Sequence, residues 1–379
     1  MRIKRCVVVV GMTLLVGMLL VGQSPPLTHI VGTVVAFDEA FGSVATDVSS
    51  EDIQKLGAEV GDLVEVVLAG HVLEIPLVSD MFPYLPQSLP GLIVWGNAYI
   101  VGWYSNIAEQ YGVSLGDEVI VRLLRKGAYL DEMAERDVDQ VERRDECTTD
   151  EEYANFREVS CGSIASGVLF RSSHPADGSE RSPFAHSLMV QAGVRTIINV
   201  GASWNDPQQA FDSSEYYQSC GALGRVLATN IGLAVTWDHF KTELRRVLRF
   251  IIDNDPPYLI HCRIGQDRTG IAIAILEALA GANLPNVIND YAATFENYYE
   301  IRHGHMLYFE VVEQLLSKLR EMNGGSVVTS ENLQSVIKLY LTKEVGMSES
   351  ELTLLQERLS NVLSIQDDAS MMLATADVG

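Results

Sequence analysis

One uninterrupted string, His261-Cys262-Arg263-Ile264-Gly265-Gln266-Asp267-Arg268-Thr269-Gly270, holds a cysteine, an arginine six residues on and a threonine directly after it. Apolar Pro257-Tyr258-Leu259-Ile260 precedes the string and the apolar segment 271–279 follows, so it joins a predicted strand to a predicted helix. A cysteine in that place sits among the free N–H groups of a helix N-terminus, which favour thiolate over thiol. The same N–H groups can cradle the three non-bridging oxygens of a phosphoryl group. Arg268 can hold two of those oxygens in a planar fork. Gly265 supplies a tight curl where a Cβ would intrude, and the Thr269 hydroxyl can bond the sulfur and ease its departure. The chemistry implied is displacement at phosphorus, with Cys262 as nucleophile and Arg263, Ile264, Gly265, Gln266 and Asp267 around the bound phosphate. A cysteine six residues from an arginine is common by chance; the whole string between strand and helix is much rarer.

Such a displacement needs a proton donor for the leaving oxygen. Asp238, in Trp237-Asp238-His239, stands 24 residues before Cys262 and just ahead of a predicted helix over 240–252. It is the expected general acid, set against a plainer role as the cap of that helix. Asp267 is the rival, acting on water in the second step or making a structural salt bridge. His261 is expected to orient the loop and support the thiolate rather than transfer protons. No metal or other cofactor is required, since Arg268 and backbone dipoles handle the charge, and His303 and His305 read as surface residues.

The elements that position this string begin near residue 154. Runs 196–200 and 257–261 read as buried strands, and 240–252, 271–279, 307–319 and 333–340 as helices by their 3.6-residue period. Upstream, 29–124 reads as all-β: runs such as 30–35, 63–68, 93–94 and 119–123 are rich in Val and Ile and separated by Gly, Asp and Pro. Gly61-Asp62 and Gly116-Asp117 are matching turn signals, because Asp bonds its own backbone. The charged stretch 125–153, including Asp131-Glu132-Met133-Ala134-Glu135-Arg136-Asp137, reads as a linker that is partly a solvated helix. The expected fold is therefore an α/β domain over 154–364, with a central, mostly parallel sheet flanked by helices. A smaller all-β domain precedes it, and 365–379 is a tail.

The loop string resembles the signature of the cysteine-dependent protein tyrosine phosphatase superfamily, and more narrowly the bacterial tyrosine phosphatases whose loop runs His-Cys-x-x-Gly-Lys-Asp-Arg-Thr-Gly. Further segments carry the same likeness: Asn155-Phe156-Arg157-Glu158 with Leu169-Phe170-Arg171-Ser172-Ser173, then Gly193-Val194-Arg195-Thr196-Ile197-Ile198. Asp290-Tyr291, Tyr340-Leu341 and Val345-Gly346-Met347-Ser348 complete it. The resemblance implies hydrolysis of phosphate monoesters through a cysteinyl phosphate, with phosphotyrosine protein as first substrate. Trp237-Asp238-His239 is similar to the acid loop of inositol-polyphosphate phosphatases, so inositol polyphosphate or phosphoinositide is the alternative. A non-catalytic phosphate-binding module is the alternative of another class. Gln266 stands where the subfamily has Lys, which weakens the polyphosphate reading, with Arg263 able to compensate. Asn199-Val200-Gly201 replaces Asp-Leu-Arg, a change read as structural, and Arg171 either faces the pocket or anchors its strand. The N-terminal segment resembles the C-terminal β-domain of the S-adenosylmethionine hydrolase and fluorinase family through Phe41-Gly42-Ser43, Thr46-Asp47, Gly96-Asn97-Ala98 and Gly116-Asp117-Glu118-Val119. That implies a fold rather than adenosyl chemistry, and an accessory role.

Among 379 residues the formal net charge is -23. That argues against nucleic acid and anionic membrane as partners, and makes a local positive site necessary for any anionic substrate. Residues 1–24 carry Arg2, Lys4 and Arg5 before an apolar run from Val7 to Gly22, a signal peptide or an uncleaved membrane anchor, so the body is expected to be exported. Cys147 with Cys161 is the disulfide of lowest loop-closure cost, though spacing does not fix it.

Overall fold

The computed structural model describes residues 27–38, 42–86, 89–102, 106–202 and 206–360. The leader and the tail lie outside them. None of the described helices is long and apolar enough to cross a membrane.

The Val/Ile runs of the N-terminal segment form β1 (Ile30–Phe37), β2 (Val44–Ser49), β3 (Leu63–Leu68), β4 (His71–Val78), β5 (Gly91–Trp95), β6 (Asn97–Val101) and β7 (Glu118–Arg125). They close into a barrel in the order β1-β2-β6-β5-β4-β3-β7, antiparallel except where β4 meets β5. Alternate residues point inward, as a period of two requires: β3 alternates half-buried and buried along its length, and Val64, Val66 and Leu68 are wholly enclosed. Both turn signals hold, with Asp62 accepting from the Glu59 N–H at 2.7 Å and Asp117 from the Ser114 N–H at 2.8 Å. The unit is not purely β: α1 (Ser50–Leu56) and α2 (Ile107–Tyr111) cover it. Their N-caps, Ser49 and Asn106, accept from backbone N–H groups three residues on.

The charged stretch holds α3 (Leu130–Arg136) and α4 (Asp150–Tyr153). Beyond it β8 (Arg157–Glu158), β9 (Leu169–Ser172), β10 (Thr196–Asn199), β11 (Val226–Ala228) and β12 (Tyr258–His261) form one sheet in the order β11-β10-β12-β9-β8. Four strands are parallel and β8 is antiparallel to β9, so the sheet is mixed. The strand residues of β9, β10 and β12 are buried throughout, as in a sheet covered on both faces. One face carries α5 (Ser182–Gln191), α6 (Asp206–Ser213) and α7 (Glu215–Ala222), with Ala185, Met189, Ala210 and Tyr217 in its core. The other carries α8 (Asp238–Asp253), α9 (Asp267–Leu279), α10 (Leu284–Tyr299), α11 (Tyr308–Met322), α12 (Leu333–Lys343) and α13 (Glu349–Ser360). From Thr269 to Leu279 every residue of α9 is buried, which makes it the central helix of that layer.

Two expectations are corrected. The stretch 125–153 is not simply solvated: Arg136 is 6% exposed, because its guanidinium pairs with Glu310 of α11. The four cysteines of the described residues are all free, so Cys147 and Cys161 are not joined. Cys161 instead donates to buried Glu277 at 3.1 Å.

Candidate active site

β12 delivers Cys262 to the C-terminal end of the sheet, between the ends of β10 and β9, the crevice where open α/β sheets hold ligands. Five residues, 262–266, then connect it to α9. Gly265 takes φ 73, and a Cβ there would lie 2.2 Å from the Ser172 carbonyl oxygen, so the tight curl needs glycine as its sequence position suggested.

Four successive carbonyls of this loop are held from outside. The carbonyl of Cys262 faces His261 Nδ1 at 3.3 Å, that of Arg263 accepts from the His174 N–H at 3.0 Å, and that of Ile264 from Asn155 Nδ2 at 3.0 Å. The carbonyl of Gly265 accepts from Arg171 Nη2 at 2.7 Å. Because C=O and N–H point opposite ways across a trans peptide, outward carbonyls turn the N–H groups of 263–266 inward. An inward ring of amide hydrogens is an anion seat.

Arg171 therefore anchors the loop rather than facing a ligand; it is wholly buried, and its other nitrogen pairs with Asp290. Asp290 also accepts from Arg157 Nε at 2.7 Å. Burial opposes ionisation of Asp290, but the two guanidinium groups outweigh it and hold the carboxyl below its usual range. His261 is wholly buried; burial and the adjacent His174 ring push its titration well down, so it is neutral. Its Nδ1 donates to the Cys262 carbonyl and its Nε2 accepts from the Tyr217 hydroxyl at 3.2 Å, which fixes the tautomer. Its support for Cys262 is thus positional, without a charge.

Arg268 Nη1 donates to Asn230 Oδ1 at 3.2 Å, which sets the guanidinium over the loop. A Cβ at Gly201 would come within 2.7 Å of Cys262 Cβ and 3.0 Å of Arg268 Cζ. Cysteine and guanidinium thus flank one point, and Asn199-Val200-Gly201 is more than a structural change: it puts the missing side chain of Gly201 at the site. Thr269 Oγ1 is buried with no hydrogen-bond partner among the described residues. Cys262 is 3% exposed, at the foot of the ring.

Asp238 is not among the residues that line the cleft over the loop. It opens α8 with its side chain fully exposed and its carboxylate 3.9 Å from Lys241; it makes no capping bond, and as the first residue of α8 it is favoured by the helix dipole. Asp267 is half-buried beside the loop and accepts from Gln266 Nε2 at 3.2 Å. Arg263 is exposed and lines a separate hollow with Asp177 and Arg181. A cleft of about 160 Å³ opens over Ile264, Gln266 and Asp267, bounded by Leu233 and Ala234 ahead of α8 and by Tyr299. Its remaining wall is Asp80-Met81-Phe82, from the β4–β5 connection of the barrel, with Gly102 just after β6. No motif signalled that contribution, whereas Asn155, Arg157, Arg171 and Asp290 lay within the segments that carry the family likeness.

A mixed sheet that sets a cysteine at the foot of a buried helix, within a ring of amides under an arginine, defines the class of cysteine-centred oxyanion-binding α/β folds. A family model described as the tyrosine phosphatase family matches residues 151–361, more than half the chain, and the chain belongs to that family. No curated protein matches it. Among solved structures it is similar to an uncharacterized conserved protein from Thermotoga maritima (19% identity, TM-score 0.24, covering 26% of this chain and 38% of that one). A conserved hypothetical protein from Thermus thermophilus shares 26% identity at TM-score 0.20, over 26% of this chain and 37% of that one. The chain thus spans under two fifths of the length of these two. The core catalytic domain of the PP-IP phosphatase SIW14 from S. cerevisiae, in complex with citrate, shares 18% identity at TM-score 0.27, over 45% of this chain and 93% of that one.

Proposed function

We propose that the chain hydrolyses phosphate monoesters through a cysteinyl phosphate on Cys262, with phosphotyrosine protein as substrate. The observation that carries this is the loop whose four outward-tied carbonyls aim their amide hydrogens at one point above Cys262, beside Arg268. The Cys262 thiolate attacks phosphorus in line, forming the S–P bond as the P–O bond to the leaving group breaks. Arg268 and the loop amides hold the equatorial oxygens. Asp267, which lines the cleft directly after the loop, gives its proton to the leaving oxygen, a role it takes in preference to Asp238, whose side chain is fully exposed. Water then attacks phosphorus, Asp267 takes its proton, and Cys262 departs as thiolate with the Thr269 hydroxyl as hydrogen-bond donor.

Cys262→Ser is expected to abolish turnover while retaining phosphate binding by calorimetry; near-normal rates in that variant would end the scheme. Asp267→Asn should lower kcat by about 10²–10⁴ and remove one limb of the pH–rate profile, with Asp238→Asn close to wild type. The reverse pattern, a loss in Asp238→Asn with Asp267→Asn close to wild type, would return the acid role to the loop ahead of α8. Inositol hexakisphosphate, the alternative raised by Trp237-Asp238-His239, is separated by initial rates beside a phosphotyrosine peptide. Read as an export signal, the leader carries this chemistry out of the cytoplasm, a reading that fails if the chain fractionates with cytoplasmic protein.

A further inference from the structure

The wall that the barrel adds to the cleft has a chemistry of its own. Phe82 stacks obliquely on Tyr299 at 4.8 Å and meets Phe295 edge-on at 5.4 Å, which fixes an aromatic and apolar side of the cleft with Leu233 and Ile264. The segment does not float: the Pro83 carbonyl accepts from buried Arg136 at 2.7 Å, and Tyr84 donates to Asp137 at 2.8 Å. Two acidic side chains line it, Asp80 from the barrel and the proton donor Asp267 at the start of α9, and the described lining holds no lysine or arginine. Asp80 feels both Arg263 and Asp267, and the crowding of the wall pushes its carboxyl up. Between them Gln266 is 4% exposed, and its Oε1 has no hydrogen-bond partner among the described residues. That buried acceptor calls for a donor such as a peptide N–H, which a phosphate-studded ring does not supply.

Resting on the proposed phosphatase reading, we propose that Asp80 and Phe82 make the barrel a specificity element, selecting an aryl monoester carried on peptide and repelling polyphosphorylated ligands. The cleft matches the cavities of about 150 Å³ that accept a benzene ring. A second phosphate on a leaving group seated in this cleft would lie against Asp80, where like charge raises its free energy. A phenol ring meets Phe82 and Ile264 instead, and leaves Gln266 to the adjoining backbone.

The test is the ratio of kcat/KM for a phosphotyrosine peptide to that for inositol hexakisphosphate, in wild type, Asp80→Asn and Asp80→Lys. The ratio should fall by about tenfold in Asp80→Asn and further in Asp80→Lys, chiefly through KM for the polyphosphate, and the difference should shrink in high salt. Ratios within about twofold of wild type in both variants, with melting temperatures unchanged, would overturn it. Affinities of the two ligands for Cys262→Ser with and without Asp80→Lys, read by calorimetry, decide the same point without turnover. If wild type cleaves neither substrate, the phosphatase reading falls, and those affinities still support or overturn the selective role of Asp80.

Discussion

At Gly201 the side chain that is missing matters as much as those present around it. Its backbone needs no unusual φ, yet any Cβ would press on both Cys262 and Arg268. Neither neighbour can yield freely: Cys262 leaves a buried strand, and Arg268 is tied to Asn230. Gly201→Ala should therefore cost modest stability, about 1–3 kcal/mol of overpacking, and far more activity. A displacement of the order of 1 Å at reacting groups lowers rates by about 10²-fold. Rates on a small aryl phosphate, beside a thermal melt, separate the two effects. Wild-type turnover in Gly201→Ala would show that Arg268 is free to move aside and that the close approach is incidental. The wholly buried His261 acts through position as well, being neutral and committed by both ring nitrogens. A charged imidazolium there would have to be built by proton uptake into a core that disfavours it.

Loop 262–266 keeps its shape because β8, β9 and α10 hold a buried polar layer behind it. Arg157, Arg171 and Asp290 share charge, and Asn155 and Thr294 fill remaining valences around them. Removing one member of such a group strands the others, a cost of about 3–5 kcal/mol. Glu277 of α9 adjoins this layer without a cation of its own. Burial first, and then the charge of Asp290, raise its carboxyl well above 4.5, so it stays protonated in the fold. Unfolding at neutral pH releases that proton. The contribution of Glu277 to stability is accordingly full below about pH 4.5 and declines as pH rises toward its folded value, by about 1.4 kcal/mol per pH unit. Glu277→Gln has no proton to lose, so its melting temperature should gain on wild type between about pH 5 and about pH 8. Parallel melting curves across that range would mean that Glu277 is ionised in the fold.

For the whole molecule, local pattern revealed the parts and not their assembly. Strands β1, β3, β5 and β7 of the barrel were legible because Val and Ile runs between Gly and Asp have few other stable conformations. The Cys262 string was legible because each of its residue types meets one need of a bound oxyanion. Asp80 to Phe82 gave no sign, since their neighbours, Tyr299 and Gln266, lie far along the chain and meet them only when two units pack. Arg136 misled for the same reason: among so many charges it reads as solvated, and Glu310, 174 positions on, is what buries it. That pair tests whether the barrel is functionally joined to the α/β unit. Arg136 reaches Glu310 with both terminal nitrogens, at 3.0 and 2.6 Å, and Pro83 through Nε. Glu310 keeps a third of its side chain in water, so after Arg136→Ala it can rehydrate. The loss then comes mainly from the Pro83 carbonyl and the buried stem, about 1–3 kcal/mol. Calorimetry should show one unfolding event for wild type and two for Arg136→Ala, the barrel melting apart from the rest. KM for a phosphotyrosine peptide should rise while that for a small aryl phosphate changes less, because only the longer substrate depends on the barrel's wall. One unshifted transition and an unchanged peptide KM would mean that the barrel merely rides beside the site.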